Sequence, residues 1–241
     1  MKQMIVIMLC FLSIVGRAQT KVAMFGGSVA QLFQMRGGQS LLESMTNIKI
    51  DNFAKGGDGL CRQTAVVNGK IEIGGIAKKV AEQCKPESPV YDVYIIWCST
   101  NDIWGNEIGT SSDYTNDDNY DTNKLLTQNG GLNYCIKSIM DHAPMSRILI
   151  LGSMKSFKSS YGYTKTGVRL YKPKRRMWDY VMGQIECANR FSIPVLNLWS
   201  ESGINEYNYK FLCPDGIHPT AEGYKMLCSI MKNFIQKHLI K

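Results

Sequence analysis

Short apolar runs alternate along the chain with longer segments in which apolar residues recur at helical spacing. Several of the short runs are apolar almost throughout rather than at every second position, which is typical of parallel strands that are covered on both faces. The pattern predicts five strands: Lys21–Phe25, Ile48–Phe53, Val90–Trp97, Arg147–Leu151 and Pro194–Leu198.

A helical pattern follows each predicted strand. These helices cover Val29–Met45, Ile76–Gln83, Leu126–Met140, Arg176–Phe191 and Ala221–His238. Strands that alternate with helices favour right-handed crossovers and parallel pairing. We therefore expect an α/β fold, a three-layer α/β/α sandwich with a five-stranded parallel sheet. Neither a break in composition nor an internal repeat interrupts the pattern, which predicts a single domain over residues 19–241.

The first 18 residues have the pattern of a secretory signal peptide. Lys2 supplies a positive charge, Met4 to Val15 form an apolar stretch, and Gly16, Arg17 and Ala18 form a small-residue cleavage site. The apolar stretch is too short to cross a bilayer. We expect an exported protein, periplasmic or secreted, with no stable membrane insertion after cleavage.

The charge and cysteine content indicate neither a nucleic-acid partner nor a metal site. The 28 basic and 20 acidic residues give a net charge of +8, a mild excess that does not indicate a nucleic-acid partner. No Cys-x-x-Cys pair or His/Cys cluster has the spacing of a zinc site, so we expect no metal and no organic cofactor. Export permits a disulfide, but most cysteines are expected to be buried small apolar residues.

Candidate functional residues fall where the predicted strands end, which is where open parallel sheets bind ligands. Ser28 follows the first strand, Gly57 the second and Asn101 the third, and a loop with Asp215 and His218 precedes the last helix. Taken alone, Ser28 is typical of a helix N-cap and Asn101 of a turn. Four segments that converge on one edge of the sheet make a reactive site the better interpretation.

His218 is the best candidate for a general base among the three histidines. His142 is expected at a helix C-terminus and His238 lies close to the end of the chain. Asp215, three residues before His218, could orient the imidazole and stabilise its protonated form. A serine hydroxyl needs such a base to become a nucleophile. The order Ser28, Asp215, His218 therefore predicts a serine hydrolase.

These segments resemble the conserved blocks of the SGNH (GDSL-type) hydrolase superfamily, in the same order. Phe25-Gly26-Gly27-Ser28 resembles its Gly-Asp-Ser block, Asn52–Gly57 its glycine block, Ser99–Asp102 its Gly-x-Asn-Asp block and Asp215–His218 its Asp-x-x-His block. The resemblance implies the flavodoxin-like fold of that superfamily. It also implies a triad and an oxyanion hole, formed respectively by Ser28, Asp215, His218 and by Ser28, Gly57, Asn101.

The chain departs from the family pattern at two positions. Gly27 stands where the family has Asp beside the nucleophile, and Ser99 stands where it has Gly. Neither position carries a triad or oxyanion group, so the implied mechanism is retained.

Two loops are expected to determine substrate choice. Residues 105–122 are rich in Asn, Asp and Ser and predict a solvated, flexible loop without the pattern of a calcium site. Residues 161–178 combine tyrosines with a basic cluster, in which Arg169, Tyr171 and Lys172 are predicted to bind substrate. Aromatic faces beside cations suit anionic sugars, although a solvated basic face has the same composition.

The sequence thus predicts an exported serine esterase that hydrolyses carboxylic esters through an acyl-enzyme on Ser28. Its expected substrate is a small-molecule or glycan ester, with O-acetyl or other short acyl groups on carbohydrates favoured. Two alternatives remain open at this point: a lipid or lysophospholipid esterase, and a non-catalytic glycan-binding module that keeps the fold.

Overall fold

A parallel five-stranded sheet forms the centre of the fold. The computed structural model describes residues 18–157, 170–171 and 175–239, with backbone alone at 170–171 and 175–176. All five central strands pair in parallel, in the order β2-β1-β5-β6-β9. The strands are β1 Thr20–Gly26, β2 Ile48–Asn52, β3 Ala65–Val67, β4 Lys70–Glu72, β5 Val93–Trp97, β6 Arg147–Leu151, β7 Leu170–Tyr171, β8 Arg175–Arg176 and β9 Val195–Leu196.

Helices cover both faces of this sheet, and two antiparallel pairs, β3-β4 and β7-β8, lie outside it. The helices are α1 Ser28–Met35, α2 Gly38–Met45, α3 Gly75–Gln83, α4 Gln128–His142, α5 Met177–Arg190, α6 Leu198–Glu201, α7 Tyr209–Leu212 and α8 Ala221–Leu239. Short 3-10 turns follow β5, at Asn101–Trp104, Asn116–Asp118 and Thr122–Leu126.

The period-two geometry of β1 produces the three layers. Val22 and Met24 belong to an apolar cluster that includes residues of α1, α2 and α8. Ala23 and Phe25 belong to the cluster on the opposite face, with residues of α3, α4 and α5. Successive side chains of a strand point to opposite faces, so an all-apolar strand is buried twice. The three-layer α/β/α sandwich with a five-stranded parallel sheet, predicted from the sequence, is confirmed.

Three predicted elements differ most from the structure in their extent, and the others differ by at most two residues at an end. The helix predicted over Val29–Met45 is two helices, because Gly37 adopts a left-handed φ of 79° that ends the first and caps the second. The strand predicted over Val90–Trp97 pairs only from Val93 onwards. The strand predicted over Pro194–Leu198 pairs at only two residues, and α6 begins at Leu198.

The segment 105–122, predicted as a solvated flexible loop, is folded against α4 instead. Asp113 is buried, and its carboxylate accepts hydrogen bonds from Thr110 Oγ1 and Thr127 Oγ1. Asn133 of α4 donates from Nδ2 to the carbonyls of Ser111 and Asp113. Polar side chains that satisfy one another and nearby carbonyls allow this polar segment to fold against the helix.

The cysteines of the described residues are all free, and six of these seven are buried. Burial raises the pKa of Cys84, the least buried of them, to about 12. They therefore pack as small apolar side chains, the role expected for most of them from the sequence. Within the described ranges, no helix is long and apolar enough to cross a membrane.

Candidate active site

Ser28 begins α1 immediately after the central strand β1. The N-cap of α1 is Gly27, whose backbone is extended. Ser28 is therefore not the N-cap that its local sequence, taken alone, would indicate. The Ser28 hydroxyl instead lies 2.8 Å from His218 Nε2. The carboxyl end of β1 therefore directs this side chain toward a loop from the far end of the chain.

His218 is held by the carboxylate of Asp215 through both of its oxygens. Oδ2 lies 2.6 Å from His218 Nδ1, while Oδ1 accepts the backbone N–H groups of Ile217 and His218 at 2.9 and 2.7 Å. With Nδ1–H facing Asp215, Nε2 is the acceptor for the Ser28 hydroxyl. The three residues form a continuous hydrogen-bonded row, and they are the three that the sequence predicts for the triad.

Hydrogen bonding lowers the pKa of Asp215. Burial raises its pKa, but the hydrogen bonds from the backbone and ring of His218 and from the Ile217 N–H outweigh burial, so the pKa lies below its usual value. The side chain remains half exposed, at 50%. Asp215 is therefore a carboxylate at neutral pH, the form that can accept the ring N–H and stabilise a positive imidazole.

Three contacts fix the loop 215–218 to the rest of the fold. Gly216 O accepts the backbone N–H of Phe157 at 2.6 Å and the Ser156 hydroxyl at 3.0 Å. Thr220 Oγ1 accepts the N–H of Gly223 at 3.2 Å, which makes Thr220 the N-cap of the last helix. A loop held at both ends keeps the imidazole in one position.

Two long-range hydrogen bonds connect the Ser28 and His218 segments, and sequence reasoning missed both. Tyr224 of α8 donates its hydroxyl to Val29 O at 2.7 Å, one residue after the nucleophile candidate. Arg36 Nη1 donates to Pro219 O at 2.5 Å, one residue after the imidazole. Nothing in the local sequence marks these residues, because each partner lies more than 180 positions away.

The glycine and asparagine segments meet beside Ser28. Asn101 Nδ2 donates to Asp58 O at 3.0 Å, and a Cβ at Gly27 would lie 3.1 Å from the same nitrogen. Gly57 has a left-handed φ of 87°, a conformation that favours glycine. The structure thus brings Asn101 Nδ2 and the carbonyl of Asp58, the residue after Gly57, to the residue that precedes Ser28. The oxyanion-hole role of Gly57 and Asn101 stays a prediction.

Asp102 connects the asparagine segment to the glycine segment through buried hydrogen bonds. It is fully buried, and its carboxylate accepts the backbone N–H groups of Leu60 and Cys61 at 2.8 and 2.9 Å. Burial raises the pKa of Asp102, and the hydrogen bonds from Cys61 and Leu60 offset part of that effect. The sequence gives no sign of this role, since Asn101-Asp102 is also an ordinary turn pair.

The predicted substrate-binding residues are not placed by this structure. Arg169 and Lys172 lie outside the described residues, and Tyr171 is described only as backbone in β7. Their role therefore remains a prediction.

The fold and the hydrogen-bonded row define a class: an α/β sandwich with a Ser-His-Asp arrangement at the carboxyl ends of its strands. The sequence of the protein places it in the same class. The chain belongs to the GDSL-like lipase/acylhydrolase family, whose sequence model matches residues 24–226. The family predicted from the four blocks is confirmed, and the protein is a carboxylic ester hydrolase.

Solved structures with similar folds come from several bacteria. A protein from Lactobacillus plantarum has a TM-score of 0.72 at 14% identity, over 92% of this chain and 99% of its own. A possible lipase from Chitinophaga pinensis has a TM-score of 0.65 at 17% identity, over 92% of this chain and 100% of its own. The lipase/acylhydrolase from Enterococcus faecalis has a TM-score of 0.56 at 15% identity, over 92% and 97%. At these identities the likeness establishes the fold alone. No curated protein matches the chain.

Proposed function

We propose that this protein is an exported serine esterase that removes acetyl or other short acyl groups from carbohydrates, through an acyl-enzyme on Ser28. The observation that carries the proposal is the row Ser28–His218–Asp215, with 2.8 and 2.6 Å between successive side-chain atoms. A serine hydroxyl within hydrogen-bond distance of an oriented base is the arrangement that nucleophilic acyl transfer needs.

In the proposed reaction, His218 Nε2 takes the proton of Ser28 as Oγ attacks the ester carbonyl. Asp215 stabilises the imidazolium that forms, and His218 then protonates the departing alcohol. Water attacks the acyl-enzyme with the same base, which releases the acid and restores Ser28. The tetrahedral oxyanion is held by the backbone N–H groups of Ser28 and Gly57 and by Asn101 Nδ2, each worth about 3 kcal/mol.

The proposal of export rests on the first 18 residues. Their charged start, apolar stretch and small-residue site are the features of a secretory signal peptide. An exported esterase would meet polymeric or cell-surface esters rather than cytosolic metabolites.

An aromatic cleft beside the catalytic loop supports a carbohydrate substrate. The cleft has a volume of about 380 Å³ and is lined by Lys155, Phe157, Asn205, Glu206 and Tyr207. Phe157 connects it to the catalytic loop through its hydrogen bond to Gly216 O. Tyr207 is 91% exposed. An open aromatic side chain among a cation, an amide and a carboxylate suits the apolar face and hydroxyl groups of a sugar ring.

A lipid ester is the second candidate, and one observation favours it. Phe211, on α7 shortly before the catalytic loop, is 83% exposed. Two exposed aromatic residues in the segment that precedes the catalytic loop, Phe211 and Tyr207, would also suit contact with an acyl chain or a lipid surface.

A panel of 4-nitrophenyl esters and an acetylated xylo-oligosaccharide tests the proposal. We expect acetate and propionate esters to be hydrolysed at least tenfold faster than decanoate, and Ser28→Ala to lower every rate about 1000-fold or more. Tyr207→Ala should raise KM for the oligosaccharide about tenfold and leave nitrophenyl acetate unchanged. Tyr120→Ala, at an exposed tyrosine that packs on Tyr114, is the matched control and should change neither.

The possible results separate the candidates. A wild-type preference for decanoate that disappears in the Phe211→Ala variant would favour the lipid esterase. Hydrolysis that persists in Ser28→Ala would contradict the acyl-enzyme.

A further inference from the structure

Three polar atoms converge on the space where Gly27 lacks a side chain. A Cβ at Gly27 would lie 2.6 Å from Asp58 O, 2.7 Å from Ser99 Oγ and 3.1 Å from Asn101 Nδ2. The first two distances are shorter than carbon and oxygen can approach without displacement. The absence of a side chain at Gly27 is therefore a condition for the positions of Asp58 O and the Ser99 hydroxyl, and Asn101 Nδ2 lies at the edge of the same space.

The hydroxyl in this space has a defined partner. Ser99 Oγ accepts the backbone N–H of Asn101 at 3.1 Å, and Ser99 is 9% exposed. This bond from residue i+2 to the side chain of residue i closes the turn that leads from β5 into the 3-10 helix beginning at Asn101. The Asn101 side chain is held separately, through its bond to Asp58 O.

We propose that Ser99 is a positioning residue that fixes the backbone of Asn101. One N–H of the Asn101 side-chain amide donates to Asp58 O, and the fixed backbone directs the other N–H toward the oxyanion. The inference rests on the proposed function, because it takes Asn101 as an oxyanion donor. The two departures from the family pattern, Gly27 and Ser99, are then linked. The hydroxyl of Ser99 occupies the space that a side chain at position 27 would need.

The effect of Ser99 is expected in the transition state rather than in substrate binding. An oxyanion donor acts on charge that develops during attack, and small displacements of it weaken that interaction. Loss of the Ser99 hydroxyl leaves the Asn101 turn without its acceptor, but it removes no group that contacts the substrate. The value of kcat should fall, and KM should stay the same.

A double-mutant cycle with Asn101 tests this inference on nitrophenyl acetate. Ser99→Ala is expected to lower kcat about tenfold with KM unchanged, and Ser99→Gly, which also lacks the hydroxyl, should do the same. In the Asn101→Ala background, Ser99→Ala should lower kcat less than twofold, because its effect passes through Asn101. A tenfold loss in both backgrounds would overturn the proposal, as would no loss in the wild-type background.

Ser202→Ala is the matched control for the loss of a buried turn hydroxyl. Ser202 is also buried, and its Oγ accepts the backbone N–H of Ile204, two residues on, at 3.3 Å. This variant should keep the wild-type kcat, and a tenfold loss in it would mean that the Ser99 effect is a general consequence of destabilisation.

If Ser28→Ala and Asn101→Ala lower the rate and Ser99→Ala does not, only the role of Ser99 fails. If Ser28→Ala keeps its activity, the proposed function itself fails.

Discussion

Asp215 uses its two carboxylate oxygens for two different purposes. Oδ1 accepts the backbone N–H groups that shape the loop, and Oδ2 faces the ring of His218. The first use is structural, and the second orients the imidazole and stabilises its charge. Because the two uses involve different atoms, a single substitution can separate them.

Asp215→Asn should remove the second use and keep the first, since the amide oxygen can still accept the backbone N–H groups. We expect kcat/KM to fall about 1000-fold, because the amide nitrogen opposes the required ring tautomer. The thermal unfolding midpoint should shift by only a few degrees. Steady-state kinetics and a melting curve check both parts. Activity within threefold of wild type would contradict the role given to Asp215.

At the residue scale, the sequence identifies side chains whose local context is unusual. Asp215 and His218 share one short loop. The resemblance to the family and the chemistry of a general base therefore indicate the same pair of residues. Tyr224 and Arg36 could not be found this way, because each acts through a backbone carbonyl far along the chain. A role that exists only after folding leaves no local pattern.

Asp102 connects two elements that carry the predicted oxyanion donors. It belongs to the 3-10 helix after β5, and it accepts N–H groups from Leu60 and Cys61 in the segment that follows β2. A buried carboxylate is costly unless its hydrogen bonds are satisfied. Asp102 therefore rigidifies this junction at a cost that depends on its ionisation.

That cost predicts a pH dependence of stability. Burial raises the folded-state pKa of Asp102 above its ordinary value of 3.8, so the folded protein binds its proton more tightly than the unfolded chain. This stabilisation is present below pH 3.8 and is lost as the pH rises through the folded-state pKa. The free energy of unfolding of wild type minus that of Asp102→Asn should therefore decrease with rising pH, by at most about 1.4 kcal/mol per unit. Urea unfolding at several pH values measures it, and a difference that rises or stays constant would refute the shift.

Element types were easier to predict than element ends. The alternation of apolar strands and helical segments gave the main sheet and its helices, because burial on both faces leaves a strong pattern. Ends depend on single backbone positions such as Gly37, which divides a continuous apolar pattern into α1 and α2. The hairpin β3-β4 was missed, since its short strands are largely exposed.

At the scale of the whole molecule, parallel pairing determines where the chemistry lies. Because β1 and β5 run side by side with Gly26 opposite Trp97, the residues that follow both strands emerge at one edge of the sheet. This placement could be predicted from the fold class. The polar packing of residues 105–122 could not, because its buried carboxylate and amide find their partners only in the folded chain.

Covalent labelling by a fluorophosphonate, followed by peptide mass spectrometry, tests the central claim most directly. The account predicts one adduct on Ser28 in the wild-type protein and none in Ser28→Ala. It also predicts labelling at least 100-fold slower in His218→Ala, because the hydroxyl then lacks its base. An unlabelled wild-type protein, an adduct on another serine, or a His218→Ala variant that labels at the wild-type rate would contradict it.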